Sequence, residues 1–180
     1  MDIKTFLTKE RIIWHDRFVP SMIAAVAVLI ITFILQFSGF DIVLLTSISA
    51  SLVILTSQKL HHLTILGTAI YSYILASVVG FSFLLLKQSI SLSIITTSFI
   101  TIITISILIY MFDIVHPPSV GIALGIIYYS GSVFNLIFTL VITLIMFIIV
   151  KIIMYLYYDH LKIKFLHHEF LIWKKKFLRK

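Results

Sequence analysis

Residues 112–121 read Phe112-Asp113-Ile114-Val115-His116-Pro117-Pro118-Ser119-Val120-Gly121, a proline-bearing polar break between two apolar blocks. A residue that precedes proline is pushed out of the helical region, so His116 is predicted to be extended or in a turn. Pro117 and Pro118 suit the first turn of a following helix, where a missing N–H costs little. The stretch therefore predicts a helix that starts within or beside an apolar slab. Free N–H groups and the positive end of the helix dipole at Pro117, Pro118, Ser119 and Val120 would form an anion site. Irregular backbone at such depth is tolerated only where protein or a wet cavity surrounds it. Histidine is the side chain whose ordinary charge change falls near neutral pH, so His116 is the expected partner of the anion, able to hydrogen-bond it or to gate by charging. A histidine that merely satisfies a backbone carbonyl is the plainer alternative. Gly121 and Gly125 then form a small-residue face that lets another helix approach closely.

The flanking sequence decides the class. Of 180 residues 61% are hydrophobic and 12% charged, and the mean hydropathy is +1.15. Soluble domains carry about 25% charged residues, so too few charges are present to coat a water-facing globule. Four blocks are long enough to cross a bilayer, residues 20–37, 63–86, 88–112 and 133–158. Pro20 stands where a first helical turn accepts proline. Two shorter apolar blocks, residues 42–57 and 117–130, would reach only about 24 and 21 Å as helices, short of ~30 Å of hydrocarbon.

The break at residue 112 has a counterpart. Phe40-Asp41-Ile42-Val43 recurs as Phe112-Asp113-Ile114-Val115, and extension without gaps sets Ser47 on Ser119, Leu52 on Leu124 and Ile54 on Ile126. The expected fold is an all-α polytopic membrane protein: four transmembrane helices plus two short re-entrant or broken helices, duplicated as long-short-long over residues 20–86 and 88–158. Paired short segments in two halves are a transporter signature. Re-entrant short segments give four crossings and parallel units; broken crossings give six and inverted units. Lys87 favours the first, Lys59 the second.

The formal charge is +7, with the basic residues concentrated before the first block and after the last. The positive-inside bias places both termini in the cytoplasm and requires an even number of crossings. Residues 1–19 read as an amphipathic cytoplasmic segment with no cleavage site, and residues 159–180 as a basic interfacial tail. These charges suit anionic lipid headgroups rather than nucleic acid. The expected location is thus the cell membrane.

Over roughly residues 18–158 the chain resembles the HPP family of integral membrane proteins. His116-Pro117-Pro118 with Gly121, Ala123 and Leu124 carries the resemblance, together with the small-residue stretch Ser49-Ala50-Ser51-Leu52-Val53. It implies four spans with two re-entrant segments and a small anion, nitrite in some relatives, as substrate. Where many relatives carry Gly-Gly-His, this chain has Gly67-Thr68-Ala69. The proline expected near Gln58 is absent too, and His61 and His62 are out of register.

The remaining polar residues form stripes. Asn135, Thr139 and Thr143 share one helix face, as do Ser93, Thr97, Thr101 and Thr104, while Ser72, Ala76 and Gly80 make a narrow small face. Helix packing accounts for hydroxyl and small residues; Asn135, costlier to bury, is the expected second substrate contact. Asp41 and Asp113 occupy matching places and are candidates for gating or coupling, or simply end caps. His61-His62 and His167-His168 lack further ligands at useful spacing, so no metal is assigned. No cysteine, phosphate loop or hydrolase motif occurs, and neither enzymatic activity nor a cofactor is expected. The reading is a transporter or channel for a small monovalent anion acting as a homo-oligomer, with a non-transporting scaffold or accessory subunit as the alternative.

Overall fold

In an apolar solvent every backbone N–H and C=O must be paired within its own segment, which makes helices of the apolar blocks. The computed structural model describes residues 14, 18–36, 42–57, 65–129 and 131–157. Among them are six helices and no strand: α1 (Val19–Leu35), α2 (Ile42–Leu55), α3 (Leu66–Ile90), α4 (Ile94–Met111), α5 (Pro118–Tyr128) and α6 (Val133–Tyr157). Three, α3, α4 and α6, are long and apolar enough to cross a membrane; α1, at 17 residues, falls just short of them, and α2 and α5 are shorter still. Among the described residues the outward surface is largely apolar. Leu29, Phe33, Ile95, Phe99 and Phe134 are all more than 60% exposed, whereas Ser51, Ser72, Thr101, His116 and Thr143 are fully buried. Such a distribution suits lipid outside and polar pairing inside.

Local chemistry sets the helix ends. Pro20 occupies the first turn of α1, as expected. The sequence placed a boundary at Lys87, but α3 runs on through Lys87 and Gln88 to Ile90. Both are good helix formers, and a lysine stem can carry its charge along the helix toward water. The turn instead falls at Ser91, left-handed at φ 51°, and at Ser93, whose hydroxyl accepts the Thr96 N–H at 3.1 Å. At the end of α4, Asp113 is left-handed at φ 56°. Its N–H donates to the Tyr110 carbonyl and the Ile114 N–H to the Ile109 carbonyl, the paired closure that ends many helices. Ile109 and Ile114, the positions whose apolar contact often accompanies this closure, are both buried. Asp113 thus has a backbone role. Asp41, its sequence counterpart, lies outside the described residues, as do the C-terminal tail, the paired histidines and, apart from Trp14, Phe18 and Val19, the N-terminal segment.

Residue contacts fix the helix directions. The start of α1 (Pro20, Ala24) faces the end of α2 (Val53, Thr56), so these two are antiparallel. Helices α2 and α5 are antiparallel as well, with Leu44 against Gly125, Ser47 against Gly121 and Ser51 against His116. Between α3 and α6, Tyr73 meets Phe147 while Leu85 and Ile137 share one crevice, again antiparallel. Ser98, near the start of α4, hydrogen-bonds Tyr128 at the end of α5 at 3.3 Å. Helix α5 therefore carries the chain back to the level at which α4 began. Tyr73 lies beside His116 and Gly80 beside Ala123, so α3 and α5 are parallel. The six helices alternate in direction.

The shortest helix is the centre of the packing: α5 makes its largest contacts with α3 and α2. The stripe Ser72, Ala76 and Gly80 is buried, and a Cβ at Gly80 would stand 3.0 Å from the Ala123 carbonyl oxygen. On the opposite side a Cβ at Gly125 would overlap the Leu44 side chain, with Cγ at 2.6 Å. Glycine at these points allows backbone-to-helix approach. Gly80→Val is expected to lower stability by about 1–3 kcal/mol, since the α5 backbone cannot retreat from it. Asp113→Gly is expected to be neutral or stabilising and Asp113→Val to cost about 1–2 kcal/mol through its left-handed conformation. Thermal unfolding of the variants in detergent checks both.

Candidate functional site

The chain leaves α4 at Phe112 and resumes as α5 at Pro118, with His116 outside both helices, as its place before proline predicts. The break is sunk in the bundle. Tyr73, level with it, is seven residues into α3, about 10 Å from that helix's start. A buried break has to satisfy its own backbone. The His116 carbonyl accepts both the Ser119 N–H at 2.9 Å and the Ser119 hydroxyl at 2.8 Å. The Val120 N–H donates to the Pro117 carbonyl at 3.1 Å. The Ser47 hydroxyl of α2 donates to the Pro118 carbonyl.

These bonds bear on the expected anion cradle. Pro117 and Pro118 have no N–H, and those of Ser119 and Val120 already have carbonyl partners. The donors at this point are instead side chains. His116 is fully buried; its Nε2 lies 2.8 Å from Ser51 Oγ, which lies 2.6 Å from the Tyr73 hydroxyl. Tyr73 donates to the Ser47 carbonyl at 3.1 Å. Tyrosine has one proton; with it on the Ser47 carbonyl, the sense of the rest is His116 Nε2–H to Ser51, Ser51 to Tyr73, Tyr73 to the Ser47 backbone, and with it on Ser51 the chain runs the other way, Ser51 donating to His116 Nε2. The proton placement follows from satisfying the network. The edge of Phe147 on α6 packs on the tyrosine ring at 4.9 Å. Helices α2, α3 and α6 and the α4–α5 break thus converge on one polar chain with one basic member.

Other expected contacts lie elsewhere. Asn135 is in the first turn of α6, its N–H capped by the Ser132 hydroxyl at 3.2 Å. Phe147, level with the polar chain, is twelve residues further on, about 18 Å away along the helix. Asn135 and His116 therefore do not share a site. Thr139 and Thr143 bond back to the carbonyls of Asn135 and Thr139, and Thr97 and Thr101 to those of Ser93 and Thr97. These stripes are packing surfaces, while Ser93 caps α4 and Thr104 is half-buried. Gly121 and Gly125 face Ser47 and Leu44 of α2. Asp113, at the exposed side of the break, closes α4.

Sequence reasoning missed Tyr73 and Lys151, met Ser47 only as a match within the repeat, and met Ser51 only within the resemblance. The spacing of Ser47 and Ser51, one turn apart, was a signal that they share a helix face. Lys151 stood out as a single cation inside a long apolar block. It is buried, 5% exposed, with Nζ 5.5 Å from the ring of Tyr155. Lys151 is one turn beyond Phe147, and its side chain runs toward the end of α6, as a snorkelling lysine does. A charge buried in an apolar bundle marks a functional region. No group of metal-ligating side chains occurs among the described residues.

Comparison with family models, curated proteins and solved structures gives no match.

The chain of hydroxyls is expected to act as a unit. Ser51→Ala removes a donor and an acceptor from a buried site and is expected to cost about 1–3 kcal/mol. Combining it with Tyr73→Phe should cost less than the two separate losses together, a coupling that a double-mutant cycle of unfolding free energies measures.

Proposed function

We propose that the protein is a membrane transporter for a small monovalent anion, acting through the polar chain at the α2–α5 crossing. The observation that carries this reading is His116, fully buried and hydrogen-bonded to Ser51 inside a bundle whose exterior is apolar. Intramembrane ionisable groups are expensive and mark solute or proton pathways. Protonated His116 offers one positive charge, and the hydroxyls of Ser51 and Tyr73, on turning from each other and from the Ser47 carbonyl, would add two donors, a set matched to a monovalent oxyanion. The cationic ring needs a counter-charge in an apolar site, so proton and anion would enter together. Lys151, one turn further along α6, adds positive charge on the path toward the helix ends. The anion is accordingly assigned to side-chain donors, with Pro117, Pro118, Ser119 and Val120 positioning His116. The HPP resemblance makes nitrite the first substrate to try.

The helix lengths, 17, 14 and 25 residues followed by 18, 11 and 25, fit two long-short-long units, the layout of carriers built from paired broken helices. Both termini are assigned to the cytoplasm of a cell membrane, beside anionic lipid. A homo-oligomer is proposed because so small a bundle has little interior of its own.

One observation favours the alternative, a non-transporting scaffold. His116 is enclosed, and it lines neither the cavity between α1 and α2 nor the one between α3 and α6. Uptake of nitrite into proteoliposomes, with formate, nitrate and chloride as competitors, separates the readings. Flux above empty liposomes is expected, and His116→Gln should lower it roughly tenfold or more, the loss of one charged hydrogen bond. Flux indifferent to His116→Gln would remove the histidine from the pathway. No flux of any of these anions through folded, inserted protein would establish the scaffold reading.

A further inference from the structure

The substantial helix contacts are those of α1 with α2 and α6, α2 with α5 and α6, α3 with α4, α5 and α6, and α4 with α5. Exchange α1 with α4, α2 with α5 and α3 with α6 throughout. The pair α1–α2 becomes α4–α5, α3–α4 becomes α6–α1, and α3–α5 becomes α6–α2. The pairs α2–α5 and α3–α6 map onto themselves. The set is unchanged, so each third helix packs on the other unit's first two helices rather than on its own. Chance adjacency in a six-helix bundle has no reason to close in this way; a two-fold relation between the units requires it.

The direction of that axis follows from the contacts. Helices α2 and α5 are antiparallel, and so are α3 and α6. With α1 opposed to α2, and α4 to α5, α1 and α4 are antiparallel too. A two-fold axis that reverses each helix into its mate lies perpendicular to all of them. The crossing of α2 and α5 gives its position. Leu44 meets Gly125, Ser47 meets Gly121 and Ser51 meets His116, which pairs Ile48 with Val120. The ungapped match of Phe40–Val43 with Phe112–Val115 pairs these same two residues. An axis relating the units must pass where the pairing of contacts and the sequence match coincide, which is at Ile48 and Val120.

We infer that the two units are an inverted repeat: the chain crosses the bilayer six times, and a pseudo-two-fold axis runs in the membrane plane through Ile48 and Val120. Each unit crosses three times, which by itself turns the second upside down. The symmetry is incomplete, however. Helix α5 packs closely on α3, with Gly80 on the Ala123 backbone, whereas the matching contact of α2 with α6 is far smaller. One of two equivalent contacts is closed and the other loose, as in a carrier at one end of its cycle. Transport then proceeds by exchange, with α6 closing on α2 as α3 leaves α5. This second part rests on the transport reading; the inverted topology does not.

The natural chain has no cysteine, so single cysteines report without background. Ser57→Cys, after α2, and Ser91→Cys, between α3 and α4, are both exposed. Labelling with an impermeant maleimide in sealed vesicles is scored against a cysteine appended to the C-terminus. Six crossings put Ser57→Cys on the C-terminal side and Ser91→Cys on the opposite side. Re-entrant short helices and four crossings give the reverse, and that result, or both positions on one side, overturns the inversion. For the exchange, Ala123→Cys lies fully buried in the α3–α5 contact. It is expected to react with a permeant maleimide at a rate that nitrite changes. Complete protection, with Ile109→Cys in the core of α4 equally silent, overturns the exchange and leaves the topology to the first experiment. Wild-type protein that carries no anion also removes the exchange, while Ser57 and Ser91 still decide the inversion.

Discussion

A backbone that leaves the helical conformation inside an apolar solvent must find a partner for each group it frees, and the structure is arranged around that requirement at residues 112–117. Two amides close α4 through the left-handed Asp113. Two prolines remove N–H groups that would otherwise need partners. The His116 carbonyl takes two donors from Ser119, and the Pro118 carbonyl takes the hydroxyl of Ser47 from another helix. Only the side chain of His116 is left to do anything beyond repair. Its position is therefore a by-product of backbone satisfaction, and its rigidity comes from the same bonds.

That repair demands close neighbours. Ser47 reaches the break because Gly121 and Gly125 let α2 lie on α5, and Tyr73 reaches it because Gly80 lets α3 do so. Between lipid-facing surfaces that gain little from association, such packing and interhelical bonding hold the helices together. The shortest helix is consequently the most enclosed, and the long helices present their apolar flanks outward.

Much of this was legible in residues alone. The apolar blocks, the two short segments, the non-helical His116 and the glycine face of α5 all follow from periodicity and proline chemistry. The end of α3 was misplaced because the charge of Lys87 looks like a break between two apolar blocks, whereas Lys87 and Gln88 are both helix formers. The anion cradle at α5 was expected from free N–H groups, and only three-dimensional pairing shows that the carbonyls of His116 and Pro117 occupy them. Tyr73 carries no local signal, since a tyrosine in an apolar helix is ordinary until the bond to Ser51 is seen. Asn135 illustrates the converse: its polarity singled it out, but its place in the first turn of α6 sets it far from the break.

The sense of the hydrogen-bond chain has a mechanical consequence. With Nε2 of His116 protonated, Tyr73 uses its single proton to hold the Ser47 carbonyl, tying α3 to α2. If Nε2 of His116 lost its hydrogen, Ser51 would turn to donate to the ring and Tyr73 would turn to donate to Ser51. The tie to the Ser47 backbone would then be released, because no second proton exists to maintain it. The tautomer of one imidazole is thus linked to the grip between two helices, and moving a hydrogen across that ring loosens a joint on the next helix without changing any charge.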